Sequence, residues 1–167
     1  NFDTSKVTNM STMFQLCSGL TKLDVSHFNT SKVTNMAYMF NVCVGLTSID
    51  VSNFDTTNVT TMRSMFNRCT GLTELDVSNF DTRNVTNMYA MFNKCSNLTT
   101  LNLSNFETNK LQNTSGMFNE NSKLTNINLS KATFNAVTQY DGMFGSSGLT
   151  NITVKDDDAK TFIDARL

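Results

Sequence analysis

One phrase repeated at a fixed interval limits what this chain can fold into. Residues 33–54 read VTNMAYMFNVCVGLTSIDVSNF, and close variants of that phrase recur along the whole sequence. The Met-Phe pair falls at Phe14, Phe40, Phe66, Phe92, Phe118 and Phe144, a constant step of 26 residues. Val7, Val33, Val59, Val85, Leu111 and Val137 keep the same step. So do Phe2, Phe28, Phe54, Phe80 and Phe106, after which the aromatic slips two places to Phe134. Leu20, Leu46, Leu72, Leu98 and Leu124 follow, and Leu149 arrives one residue early. A period of this size marks a repeat architecture, in which each unit buries its apolar face against its neighbours.

All ten Met, all four Cys and every Phe except Phe162 lie in these columns. A residue type confined to repeated positions performs the same task in each copy, and packing is the simplest such task. A catalytic centre is needed once rather than six times, so the sulfur and aromatic groups read as core.

Each copy contains two patterns. LTKLDV, LTSIDV, LTELDV, LTTLNL, LTNINL and LTNITV alternate apolar and polar at their ends and predict short strands. VTNMSTMFQLC places Val7, Met10, Met13, Phe14 and Cys17 three or four apart, which predicts one face of a short helix. Between them FDTS, FNTS or FDTT supplies side chains that bond to local backbone and turn the chain. Strand, turn, short helix and return make one coil of a solenoid. Six coils with parallel strands about 4.8 Å apart give a core roughly 25–30 Å long. The absence of Pro agrees, since Pro would remove an N–H from a ladder or tight turn.

The expected organisation is therefore a leucine-rich-repeat-like solenoid over residues 1–155, its first repeat incomplete, followed by a capping helix over 156–167. In VKDDDAKTFIDARL, Asp156 to Asp158 suit a helix N-terminus and Arg166 the other end, while Phe162, Ile163 and Leu167 can cover the last coil. A start in mid-phrase at Asn1 fits a fragment or processed piece, with no targeting signal in view.

The unit LDVSNFDTRNVTNMYAMFNKCSNL resembles that of the bacterial leucine-rich-repeat surface proteins called BspA-like, over residues 2 to about 155. It departs from ordinary leucine-rich repeats where the Phe28 column replaces the usual Asn. It fades in the last two copies, where Asn121 and Ser147 replace Cys and Thr114 and Tyr140 replace Met. The resemblance implies a secreted or cell-wall-attached bacterial protein associated with adhesion to host or neighbouring-cell surfaces. It brings no catalytic residues, no cofactor and no ligand residues.

Charge excludes some partners. The net charge of −1 gives no electrostatic case for nucleic acid or an anionic membrane surface, and no apolar run approaches a membrane span. Cys17, Cys43, Cys69 and Cys95 suggest zinc, but four members of one column form a line some 15 Å long at coil spacing, whereas zinc needs them at one point. They read as buried free thiols. His27 shares its column with Asn53, Asn79, Asn105 and Lys131, so no imidazole is required there. Ser26, Ser52, Ser78, Ser104 and Ser130 recur after each strand as turn residues rather than nucleophiles. The N-x-S/T triplets at Asn58 and Asn84 are expected by chance in so Asn- and Thr-rich a chain.

Asp24, Asp50 and Asp76 form an outward acidic column continued by Asn102 and Asn128. Neighbouring carboxylates about 5 Å apart in water repel by about 0.8 kcal/mol, which a solvated face tolerates. A calcium ion bridging two of these Asp is the weaker alternative. A second acidic column, Asp3, Asp55, Asp81 and Glu107, sits in the turn and should bond locally.

Recognition is expected where columns vary. Lys22, Ser48, Glu74, Thr100 and Asn126 differ in every copy and flank the acidic column on the strand face. Tyr38 and Tyr89 stand at positions otherwise filled mostly by small or polar residues. The expected activity is binding of an extracellular protein or glycan by a non-catalytic, adhesin-like module, with a passive spacer as the alternative. No convergent acid, base or nucleophile set suggests an enzyme.

Overall fold

A computed structural model of the chain describes residues 2–167. Three strands, β1 (Thr100–Asn102), β2 (Asn126–Leu129) and β3 (Asn151–Val154), form a parallel sheet in the order β1-β2-β3, followed by one helix, α1 (Asp157–Asp164). Thr100 pairs with Asn126 at the 26-residue step, but Asn126 pairs with Asn151, one residue short. That shorter register is the structural counterpart of the early Leu149. In the first three copies the segments 22–25, 48–51 and 74–77 alternate exposed and buried as a strand does but form no ladder, so the expectation of one strand per copy holds only for the last three.

The expected short helices are absent: 11–16 and its counterparts are runs of turns. Their amides donate alternately within the copy and to the next one. In the second copy Met36, Tyr38, Phe40 and Val42 donate to the carbonyls of Thr61, Arg63, Met65 and Asn67 at 2.8–3.1 Å. Between them Met39, Asn41 and Cys43 donate to Met36, Tyr38 and Phe40, three residues back. A continuous helix would bond every amide four residues back along its own axis, leaving none for the neighbour. Isolated parallel bridges link Asn9, Asn35, Thr61, Asn87, Asn113 and Gln139 in one line along the copies.

This arrangement needs left-handed backbone at two places per copy. Thr12, Tyr38, Ser64 and Ala90 have φ of 51–61°, and Leu16, Val42, Arg68, Lys94, Glu120 and Ser146 have φ of 53–63°. Each is the third residue of a four-residue turn, where a type II turn requires positive φ. Only Gly116 and Gly142 supply the residue suited to that geometry. A non-Gly residue held there costs about 1–3 kcal/mol, so the cross-copy hydrogen bonds and packing must exceed that strain.

The interior is built from the repeated columns. The rings of Phe14, Phe40, Phe66, Phe92, Phe118 and Phe144 stack in sequence with centroids 5.4–6.1 Å apart. Met36, Met39, Met62 and Met65 are fully buried around them. The first copy is more open: Phe2 is 85% exposed, and Met13 and Leu16 are exposed as well.

Buried threonines join the turns between copies. The Thr30 hydroxyl donates to the Asp55 carbonyl at 2.9 Å and accepts from the Asp55 amide at 2.8 Å. Thr4 and Thr56 make the same pair of bonds to Asn29 and Asp81. At Thr108 the amides of both Thr133 and Phe134 donate to the hydroxyl, where the aromatic column slips. At Thr4, Thr30 and Thr56 the buried hydroxyl thus satisfies its donor and acceptor roles on one residue of the neighbour.

Asp156 caps the N-terminus of helix α1, its carboxylate accepting from the Ala159 amide at 2.9 Å. Ala159 and Ile163 are buried, and the Phe162 ring stacks on Phe134 at 4.8 Å. Leu167 is 67% exposed and covers nothing, contrary to expectation, because it lies beyond the helix.

A substitution isolates the backbone strain from packing. A Cβ at Gly142 would meet no atom within 4 Å, and its φ is +61°. Gly142→Ala is expected to lower the unfolding free energy by about 1–3 kcal/mol in urea titration; an unchanged midpoint would show that the left-handed turn is not maintained.

Candidate functional site

The strand segments point their odd-numbered or even-numbered polar residues away from the core, and five successive copies line one groove of about 830 Å³. Ser48, Glu74, Thr100 and Asn126, the column that varies, lie in it together with Asp50, Asp76 and Asn102. Lys22 and Asp24 belong to the same columns but do not line it. Asn128, which spacing places in the acidic column, lines it too, and Asn151 and Thr153 extend the groove beyond the residues expected from the sequence. The register slip before β3 hid the last two, which continue the columns only after a one-residue correction.

The acidic column has a local task. The Ser26, Ser52 and Ser78 amides each donate to the Oδ1 of Asp24, Asp50 and Asp76 at 2.9 Å. Hydrogen bonding from the Ser side chain, then from its amide, holds each of these carboxyls below its ordinary value of 3.8. They are therefore ionised at neutral pH. Asn102 and Asn128 accept the same bond from Ser104 and Ser130 at 3.1 and 3.0 Å. In the turn column Asp3, Asp55 and Asp81 accept from Ser5, Thr57 and Arg83 two residues on, and Asp81 pairs with the Arg83 guanidinium. The described residues contain no group of three or more His, Cys, Asp or Glu placed to hold a metal ion.

Tyr38 and Tyr89 lie on the turn side rather than on a helix. Both face Arg63, whose guanidinium carbon is 5.5 Å from the Tyr38 ring centre and 4.7 Å from that of Tyr89. Tyr89 is 38% exposed and Tyr38 is half-buried at a left-handed position. Sequence reasoning missed Arg63, although it shares a column with Ala37 and Tyr89. The two tyrosines thus stand on either side of one cation, a stacked surface feature away from the groove.

The cysteines are more than small apolar groups. Cys43, Cys69 and Cys95 direct Sγ at the carbonyls of Phe14, Phe40 and Phe66, each at 3.1 Å. Asn121 replaces Cys in the next copy and donates Nδ2 to the Phe92 carbonyl at 2.9 Å. The column therefore supplies a donor to the preceding copy, and the Cys-to-Asn exchange in the sequence was the available clue. Cys17 corrects the expectation of four buried thiols: it is exposed. Burial pushes the Cys43 thiol up to about 11 and the Cys95 thiol to about 12, and Cys69 is also pushed up. Thiol titration of the folded protein is expected to modify Cys17 quickly and the other three only after unfolding; rapid labelling of all four would contradict this packing.

A family model described as "Mycoplasma protein of unknown function, DUF285" matches residues 1–74 and 42–157. The chain belongs to this family. The DUF285 match takes in the repeated region and agrees with the repeat-family resemblance carried by the LDVSNFDTRNVTNMYAMFNKCSNL unit. No curated protein and no solved structure matches the chain. Among the described residues no helix is long and apolar enough to cross a membrane.

Proposed function

We propose that this DUF285 chain is a leucine-rich-repeat-like solenoid acting as a non-catalytic binding module at a bacterial surface. The observation that carries the reading is the groove, where Ser48, Glu74, Thr100 and Asn126 meet on one exposed face. The buried columns repeat because packing demands it, while this exposed column is free to differ in each copy. Repeat scaffolds use such continuous surfaces for recognition. The ligand in this reading is an extracellular protein or glycan, bound in adhesin-like fashion, with α1 capping the final copy. Secretion or cell-wall attachment follows from the BspA-like resemblance.

A second reading, a spacer projecting another domain, draws on the unbroken Phe stack, which favours a stiff body. Binding to an array of matrix proteins, mucins and glycans, in calcium and then in EDTA, separates the two. Saturable binding that Glu74→Lys weakens is expected. Binding unaffected by Glu74→Lys would move recognition off the groove, and no binding in either condition would favour the spacer.

A further inference from the structure

The groove's charge is uneven. Its earlier copies contribute Asp50, Glu74 and Asp76, its later copies contribute Asn, Thr and apolar residues, and no Lys, Arg or His lines it. Among the described residues none of the three carboxylates takes part in an ion pair.

The fold does not require that charge. Asp50 and Asp76 serve their turns by accepting one amide, and Asn102 and Asn128 perform the same service without charge. The Asp column even opposes itself, since Asp24 acts on Asp50, and Asp50 on Asp76, as like charges. These three carboxylates lie unpaired on an open sheet face and are unnecessary for the turns, so they form an acidic surface that an opposite charge from outside would complement.

We propose that the groove takes an extended cationic polypeptide segment, its Lys or Arg side chains lying over Asp50, Glu74 and Asp76. This deepens the binding-module reading and rests on it. Five copies about 4.8 Å apart span about 19 Å, the length of roughly six extended residues. Asn102 and Asn128, whose Oδ1 atoms accept the Ser104 and Ser130 amides, present Nδ2 donors, and Asn126, whose Nδ2 donates to Thr125, presents an Oδ1 acceptor, which together match the paired N–H and C=O groups of a peptide. A neutral glycan fits less well. Its hydroxyls would donate to the carboxylates but bring no counter-charge, and the groove has no aromatic ring among its lining residues on which a sugar could rest.

The test uses the whole chain and three labelled probes: a hexapeptide alternating Lys and Ser, its Gln-Ser counterpart, and a neutral hexasaccharide. The Lys-Ser peptide is expected to bind in low salt, weaken as salt rises, and shift the amide NMR signals of residues 48–52 and 74–78. Combining Asp50→Asn, Glu74→Gln and Asp76→Asn should weaken it by about tenfold. Asn at 50 and 76 preserves the Ser turns, and an unchanged melting temperature verifies that the variant is folded.

Lys-Ser binding unaltered by the triple variant, or signal shifts confined to other surfaces, would overturn the inference. Groove shifts produced by the Gln-Ser peptide or hexasaccharide, without Lys-Ser binding, would overturn it while leaving the binding-module reading intact. Failure of all three probes, together with an array that captures nothing, would overturn both.

Discussion

Everything in this molecule depends on backbone amides that leave their own copy. Phe40, for example, donates to Met65, and Phe66 to Met91, so each turn segment is completed by the next one along. A short isolated turn has little stability, because fixing backbone costs about 1–2 kcal/mol per residue. Cross-copy bonding makes that cost a shared one. It also holds Val42, a β-branched residue, at a φ of 63°, where it would not remain alone. The Phe stack and the Thr hydroxyl bridges act in the same direction, tying each copy to its neighbour.

Placing the stabilising contacts there leaves the strand face unburdened. Its inward residues, such as Leu75 and Leu101, join the core, while Glu74 and Thr100 beside them have no packing role. One face can therefore change composition from copy to copy without disturbing the stack. The only structural demand on the adjoining column is an acceptor for the following Ser amide, which Asp and Asn meet equally. The acidic character of the earlier copies is thus a property of the surface rather than of the fold.

Much of this was legible because the repeat exposes each column several times over. The core Phe and Met, the strand-side alternation and the face carrying Ser48, Glu74, Thr100 and Asn126 could all be read from spacing alone. The turn segment misled for a specific reason. Bonds such as Met39 to Met36 and Cys43 to Phe40 bring apolar residues inward at three-residue intervals, the same pattern that a helical face would show. Left-handed positions occupied by Thr12, Tyr38 and Val42 carry no warning in composition, since among the left-handed positions Gly appears only at 116 and 142. The Thr30 and Thr56 hydroxyls looked like local turn formers because a partner 25 residues away is invisible until the copies are placed side by side.

Amide hydrogen exchange on the folded chain tests cross-copy bonding most directly. Arg68 and Lys94 have left-handed backbone at the surface, yet their amides donate to Asn93 and Asn119 in the next copy at 2.7 and 2.9 Å. Their exchange is predicted to be slow and to match that of the Phe66 and Phe92 amides, as members of one cooperative unit. Fast exchange at Arg68 and Lys94, with protection confined to β1–β3 and α1, would contradict the account.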